Sequence, residues 1–104
     1  MAQKFILTQH GVMRLGNVRM HKDLLEFGDF CYGGGFYEVD YGANRIILSG
    51  ASFDFGFPLW ERLLSMDISL KIPEDYRGMG IIYRYDDQAR EELKITEEFQ
   101  VEYV

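Results

Sequence analysis

Apolar and polar residues follow short, strand-like patterns along much of the chain. Residues 5–8 form an apolar run, and residues 12–15 form a second extended segment between glycine-containing turns. Residues 36–40 alternate with the side-chain period of a strand, and residues 41–44 have the composition of a turn. Residues 45–49 then form the second strand of the predicted hairpin. The pattern predicts two N-terminal strands followed by a β-hairpin.

Two further segments have the apolar spacing of helices. The first covers residues 21–27 and is expected to end at Gly28. The second begins near Pro58, which is tolerated in a first helical turn. Its apolar residues recur at helical spacing and are Leu59, Trp60, Leu63 and Leu64.

The C-terminal third supplies the remaining elements. Residues 81–85 predict a strand, and residues 99–103 alternate in a way that predicts a last edge strand. Residues 68–72 fit more than one structure. We therefore expect an α/β (α+β) protein, with a mixed β-sheet of five to six strands and two helices packed against it. Its 104 residues, 47% of them hydrophobic, suit a single domain over residues 1–104.

Charge is distributed unevenly along this chain. The net charge is -6, and residues 86–104 hold seven acidic and two basic side chains. We interpret 86–104 as an acidic C-terminal extension that includes the expected edge strand. This balance argues against nucleic acid as a partner, because nucleic-acid binding needs a basic face. Residues 1–50 carry five basic and five acidic side chains, so a phosphorylated partner can approach that half.

Cysteine and histidine usage limits the chemistry further. Cys31 is the only cysteine, which excludes an intrachain disulfide and a thiolate metal cluster. With two histidines and no dinucleotide or P-loop motif, the sequence predicts neither a metal nor a cofactor. The first residues have no signal-peptide apolar segment, and no apolar run has the length of a membrane span. We expect a cytoplasmic protein without a membrane partner, and the oligomeric state stays open.

Four landmarks occur in the same order as in a known family. They are Lys4-Phe5-Ile6-Leu7, Met20-His21-Lys22-Asp23-Leu24, Cys31-Tyr32-Gly33-Gly34-Gly35, and Ile47-Leu48-Ser49-Gly50-Ala51-Ser52 through Gly56. Together with the proline-opened helix, these segments resemble the 14-kDa phosphohistidine phosphatase (Janus/Ocnus) family over about residues 4–65. The order and spacing carry the resemblance, because no single landmark is specific.

The resemblance implies a function and a set of site residues. It implies that the protein is a metal-independent phosphatase acting on phosphohistidine, with His21 as the general base. Lys4 would help to hold the phosphate. Ser52 and the backbone amides between Ala51 and Asp54 would cradle its oxygens. The expected partner is a phosphorylated protein or a small phosphorylated ligand.

The residue types suit that chemistry. Phosphoryl transfer depends on positioning and charge stabilisation, because its transition state is loose. A histidine titrates near neutral pH and can take a proton from attacking water. Backbone N–H groups in a turn form a nest for oxyanions. The structural glycines of the pattern are Gly33, Gly34, Gly35, Gly50 and Gly56, and the first three can either turn the chain tightly or let two backbones approach.

Two departures from the family keep a second hypothesis open. Asp54 stands where the family has a small apolar residue, and Phe36 stands where it has an arginine. Arg14 is the candidate to supply the missing cation. The alternative is a catalytically inactive module that binds a protein or a phosphorylated ligand on the same fold. A third reading, a small toxin- or antitoxin-like regulator, has only the small acidic chain in its support.

The same residues can also have purely structural roles. His21 can be a polar residue in the first turn of a helix, and Ser52 can do no more than cap a turn. Cys31 fits a small buried hydrophobe better than a nucleophile. Phosphate release from phosphohistidine separates the enzyme from the binding module.

Overall fold

The computed structural model describes residues 2–86, 88 and 90–104, which form eight strands and two short α-helices. The strands are β1 (Ala2–Thr8), β2 (Met13–Val18), β3 (Cys31–Asp40), β4 (Arg45–Ser49), β5 (Leu70–Ile72), β6 (Gly80–Arg84), β7 (Leu93–Lys94) and β8 (Val101–Tyr103). The helices are α1 (Trp60–Ser65) and α2 (Ile95–Glu98), and single 3₁₀ turns occur at His21–Leu24 and Glu74–Tyr76.

Six of the strands form one mixed sheet in the order β2-β1-β3-β4-β6-β7. Its neighbours are antiparallel except β4 and β6, which run parallel. The long connection between these two contains α1 and β5, as a parallel pair requires. β5 and β8 form a second, parallel two-stranded sheet. The predicted α+β class with a mixed sheet and two helices is confirmed.

The main hydrophobic core lies on one face of the large sheet. Residues of β1 alternate, so that Phe5 and Leu7 enter this core, whereas Lys4 and Ile6 lie on the opposite face. Trp60 of α1 packs into this core. Its ring lies 6.2 Å from that of Phe5 and 5.8 Å from that of Phe99.

The acidic C-terminal segment is part of the fold. Ile95 of α2 is fully buried and Phe99 is 6% exposed, so both complete the core. The strand expected at 99–103 is present as β8 and pairs with β5. Residues 68–72, whose pattern fitted more than one structure, contain β5. Among the described residues β5 is the only strand that pairs with β8.

The helix predicted over residues 21–27 is wrong, because only the single turn His21–Leu24 forms. The Asp23 carboxylate accepts the backbone N–H of Met20 at 3.0 Å and closes this turn on itself. Leu25 then adopts an extended conformation, and Phe27 is fully exposed. Without a buried apolar face, packing does not stabilise further turns.

Gly33, Gly34 and Gly35 do not form a tight turn, since β3 runs through all three. Gly34 and Gly35 pair with β1, opposite Ile6 and Phe5. A Cβ at Gly34 would overlap the carbonyl oxygen of Phe5, and a Cβ at Gly35 would overlap that of Ser49. Glycine is therefore needed here for close approach of neighbouring backbones within a sheet.

No helix in the described part of the chain is long and apolar enough to cross a membrane.

Candidate functional site

A depression of about 340 Å³ lies on the face of the large sheet opposite the main core. Its lining residues come from β1, the 3₁₀ turn at His21 and the segment before it, β3 and the loop after β4. They are Lys4, Arg19, Met20, His21, Phe36, Phe53 and Asp54. Three of the residues predicted for the site, Lys4, His21 and Asp54, are thus brought together from distant parts of the sequence.

His21 is held firmly at this depression. It is the first residue of the 3₁₀ turn and is 5% exposed. Its Nε2 lies 2.7 Å from the carbonyl oxygen of Gly35. Because a carbonyl oxygen only accepts hydrogen bonds, Nε2 carries the hydrogen. In the neutral ring the lone pair therefore belongs to Nδ1.

Nδ1 of His21 remains available for chemistry. It makes no hydrogen bond within the described residues. The side chain is 5% exposed and lines the depression. The ring of Phe36 meets the imidazole edge to face, with centroids 5.5 Å apart. A base with a fixed tautomer and one open nitrogen is the arrangement that general-base chemistry needs.

Two residues of the triple glycine, Gly34 and Gly33, leave space for the segments that pack on β3, and Gly34 makes room for His21. A Cβ at Gly34 would lie 3.2 Å from His21 Cδ2, closer than nearly all such contacts. Gly33 has a φ of +94°, and a Cβ there would overlap the carbonyl oxygen of Phe57. The glycines therefore let the His21 turn and the loop after β4 approach the same strand from different sides.

Lys4 contributes a cation that uses only part of its hydrogen-bonding capacity within the protein. Its Nζ donates a hydrogen bond to the carbonyl oxygen of Val18 at 2.9 Å. An ammonium group has three donors, so two remain for a ligand. The same Nζ lies 6.0 Å from the centre of the Phe36 ring, at the outer limit of a cation–π contact.

Arg19 is a second cation at the depression, and sequence reasoning missed it. It is exposed and makes no ion pair within 4 Å among the residues that the structure describes. It belongs to no landmark of the family resemblance. The one available signal was its position two residues before His21.

The loop from Gly50 to Gly56 closes on itself. The backbones of Ser52 and Gly56 exchange two hydrogen bonds, of 3.1 and 2.9 Å. Ser52 is 3% exposed, and its Oγ accepts the backbone N–H of Phe55 at 3.2 Å. Gly50 and Gly56 both have positive φ values, as a tight loop requires. Ser52 and Ala51 do not line the depression, so the loop presents Phe53 and Asp54 instead.

Asp54 opposes the positive charge of the site. Its exposed carboxylate lies at the rim and is not within 4 Å of Lys4. Lys4 and Arg19 carry two positive charges and Asp54 carries one negative charge, so these three lining side chains have a net charge of about +1. The depression therefore favours an anion, but less strongly than it would without Asp54.

The structure does not bring Arg14 to the depression. Its guanidinium pairs with Asp29, lies 3.4 Å from Glu26 and donates to the carbonyl oxygen of Leu24. The Arg14 hydrogen bond, with help from the backbone N–H of Glu26, lowers the pKa of Asp29. Arg14 therefore ties the loop after the 3₁₀ turn to β2.

Cys31 has the environment of a structural thiol. It is half-buried, and its Sγ donates to the carbonyl oxygen of Gly33 at 3.3 Å. Burial raises the pKa of this thiol, which keeps it protonated. Within the described residues no three His, Cys, Asp or Glu side chains are grouped closely enough to hold a metal ion.

No protein-family model, curated protein or solved structure matches this chain. The relation to the phosphohistidine phosphatase family stays a prediction from its landmarks.

Proposed function

We propose that the protein is a metal-independent phosphatase that hydrolyses phosphohistidine, with His21 as the general base. Other N-phosphorylated side chains are further candidate substrates. The observation that carries the proposal is the grouping of His21, Lys4 and Arg19 around one depression, with the tautomer of His21 set by Gly35. A cytoplasmic location, expected from the sequence, fits a phosphorylated protein as substrate.

In this proposal water attacks the phosphorus atom while Nδ1 of His21 takes its proton. The new P–O bond forms as the P–N bond breaks, and the leaving imidazole is protonated by His21 or by solvent. Lys4 and Arg19 stabilise the negative charge on the phosphoryl oxygens. Phe36 and Phe53 provide apolar walls for the leaving group.

The test is release of inorganic phosphate from chemically phosphorylated histidine. His21→Gln is the informative variant, because the glutamine amide can still donate to Gly35 but cannot act as a base. We expect it to lose about 100-fold or more in rate, the usual contribution of a general base. Lys22→Ala is the matched control, since Lys22 lies in the same turn outside the depression and should leave the rate unchanged.

Circular dichroism of each variant separates loss of chemistry from loss of fold. A folded His21→Gln protein with wild-type turnover would remove His21 from the mechanism. A folded wild type without any activity would reject the enzyme and favour the alternative below.

The alternative is a binding module that lacks catalysis. It is favoured by the carboxylate of Asp54 at the rim and by the exposed side chains of Phe53 and Met20 beside it. In NMR titrations with inorganic phosphate, shifts at Lys4, Arg19 and His21 without turnover would indicate a phospho-ligand module. An absence of shifts would indicate a module for an unphosphorylated protein.

A further inference from the structure

Asp54 brings a negative charge into the depression that holds His21. Its carboxylate is exposed and makes no ion pair within 4 Å among residues 2–86, 88 and 90–104. Like charges repel, so this carboxylate lowers the affinity of the depression for phosphate. A ligand that carries a positive charge beside its phosphoryl group would turn the repulsion into attraction.

The loop that carries Asp54 is attached to β3. The backbone N–H of Gly34 donates to the carbonyl oxygen of Gly56 at 3.2 Å. On its other side Gly34 pairs with Ile6 of β1. The loop therefore flanks β3 on the side away from β1 and presents Asp54 from there.

The positive side chains reach the depression from the opposite direction. Lys4 belongs to β1 and Arg19 follows β2, and both strands lie on one side of β3 in the sheet. The exposed ring of Phe36 belongs to β3 itself, and its centre lies 6.0 Å from Lys4 Nζ. Charges of opposite sign are thus separated across β3 with an accessible aromatic face among them. This arrangement matches a ligand that is itself a zwitterion.

We propose that Asp54 makes the depression selective for the protonated form of phosphohistidine, in which a negative phosphoryl group and a positive imidazole ring belong to one substrate. The inference deepens the proposed function and rests on it. The phosphoryl oxygens contact Lys4 and Arg19. The ring lies against Phe36 and Phe53, and the N–H of its second nitrogen donates to the Asp54 carboxylate.

The same contact favours cleavage of the P–N bond. Water forms the new P–O bond and gives its proton to Nδ1 of His21, while the electron pair of the P–N bond moves onto the ring nitrogen. A ring that is protonated on its second nitrogen leaves as neutral imidazole, whereas an unprotonated ring would leave as an anion. Asp54 accepts a hydrogen bond throughout and takes no proton, so His21 stays the base.

Binding without turnover tests the role of Asp54. It is measured by isothermal calorimetry in the His21→Gln background, with phosphohistidine and with phenyl phosphate, whose planar ring is uncharged. The measurement is made at low salt and about pH 6.5, where an ordinary imidazole is half protonated. We expect Asp54→Asn to weaken binding of phosphohistidine about threefold to tenfold and to tighten binding of phenyl phosphate.

Two further variants separate charge from shape. Asp54→Glu keeps the carboxylate and should retain the preference for phosphohistidine. Asp75→Asn removes an exposed carboxylate outside the depression and should change binding of neither ligand. If His21→Gln does not fold, the KM for phosphohistidine and the inhibition constant of phenyl phosphate give the same comparison in the single variants.

Other outcomes overturn the inference. Phosphohistidine that binds Asp54→Asn as tightly as the parent, or more tightly, would show that the carboxylate only repels. An equal loss for both ligands would assign Asp54 to the structure of its loop. Phosphoarginine that binds more tightly than phosphohistidine, and loses more in Asp54→Asn, would assign the carboxylate to a guanidinium.

Failure of the proposed function gives a different result. A folded wild type without turnover of phosphohistidine rejects the phosphatase, but the binding comparison between the two ligands still tests Asp54. An absence of binding by both ligands would reject the phosphatase and the inference together.

Discussion

Gly33 and Gly28 differ in what surrounds them, although both have left-handed backbones. Their φ values are +94° and +88°, so alanine is strained at either position. A Cβ at Gly33 would overlap the Phe57 carbonyl and lie 2.7 Å from Pro58 Cα, whereas one at Gly28 would meet nothing within 4 Å. The two positions therefore separate backbone strain from steric overlap.

We expect Gly33→Ala to lower the free energy of unfolding by about 4 kcal/mol, and Gly28→Ala by about 1 kcal/mol. Chemical denaturation of the two variants beside the wild type measures both values. Equal losses would mean that the loop after β4 can move away from β3 at little cost.

Asp54 determines how strongly the His21 depression attracts an anion. Asp54→Asn keeps the shape of the side chain and removes its charge. It should tighten binding of inorganic phosphate by about threefold to tenfold at low salt, because one repulsive charge at the rim is lost. Isothermal calorimetry measures the affinity.

Asp75→Asn is the control for this change, since Asp75 is exposed and does not line the depression. If both variants tighten phosphate binding equally, only net charge matters, and Asp54 has no local role.

At the scale of elements, the ion pair between Arg14 and Asp29 connects β2 to the loop after the His21 turn. The side chains of Arg14 and Asp29 are 22% and 13% exposed, so the pair is partly shielded from water. We expect a double-mutant cycle with Arg14→Met and Asp29→Asn to give a coupling of about 1 kcal/mol. Urea unfolding of the four proteins provides the measurement.

The Arg14–Asp29 pair also predicts that the free energy of unfolding depends on pH in the acidic range. The pKa of Asp29 lies below its ordinary value of 3.8, mainly because of the Arg14 hydrogen bond. The stabilisation is present above that value and is lost as the pH falls through the lower, folded-state pKa. Wild type should therefore lose more stability in this acidic range than Arg14→Met does. Parallel acid curves for the two proteins would contradict the pairing.

The strands and the hairpin followed from the sequence because their side-chain pattern is local. The helix predicted from His21 did not form, since Phe27 is fully exposed and Leu24 and Leu25 are only partly buried. The pairing of β5 with β8 could not be predicted, because strands that pair across 31 positions carry no local signal. Local pattern therefore predicted elements better than their pairing.

At the scale of the whole molecule, the aromatic core predicts instability in alkali. Burial raises the pKa of Tyr83 to about 12, from an ordinary value of 10.0. Between these values the unfolded chain loses a proton that the folded chain keeps, so stability falls as the pH rises. The expected loss is about 2 kcal/mol between pH 10 and pH 12.

Thermal or urea unfolding across this pH range tests the role of Tyr83. Tyr83→Phe should flatten the dependence, leaving the smaller contribution of Tyr76, whose pKa burial also raises. Tyr41→Phe is the control, because Tyr41 is 83% exposed and should leave the curve unchanged. An unchanged slope in Tyr83→Phe would assign the alkaline loss to other groups.

The candidate site could be predicted only in part. Lys4 and His21 followed from the family landmarks, and the structure places both at the depression. Arg19 was missed, because it belongs to no motif and its only signal was its position two residues before His21. Ser52 was expected to face the ligand, but its hydroxyl is used within its own loop.

The sequence by itself determined the α+β class, the hairpin, the acidic balance and the candidacy of His21, because local periodicity, composition and short motifs contain that information. The tertiary structure alone decided which residues meet. It placed Arg19 beside His21, paired Arg14 with Asp29, and buried the Trp60 indole nitrogen without a hydrogen-bond partner among the described residues. Contacts between residues far apart in the chain depend on strand order and close backbone approach, and neither is encoded within a short stretch of sequence.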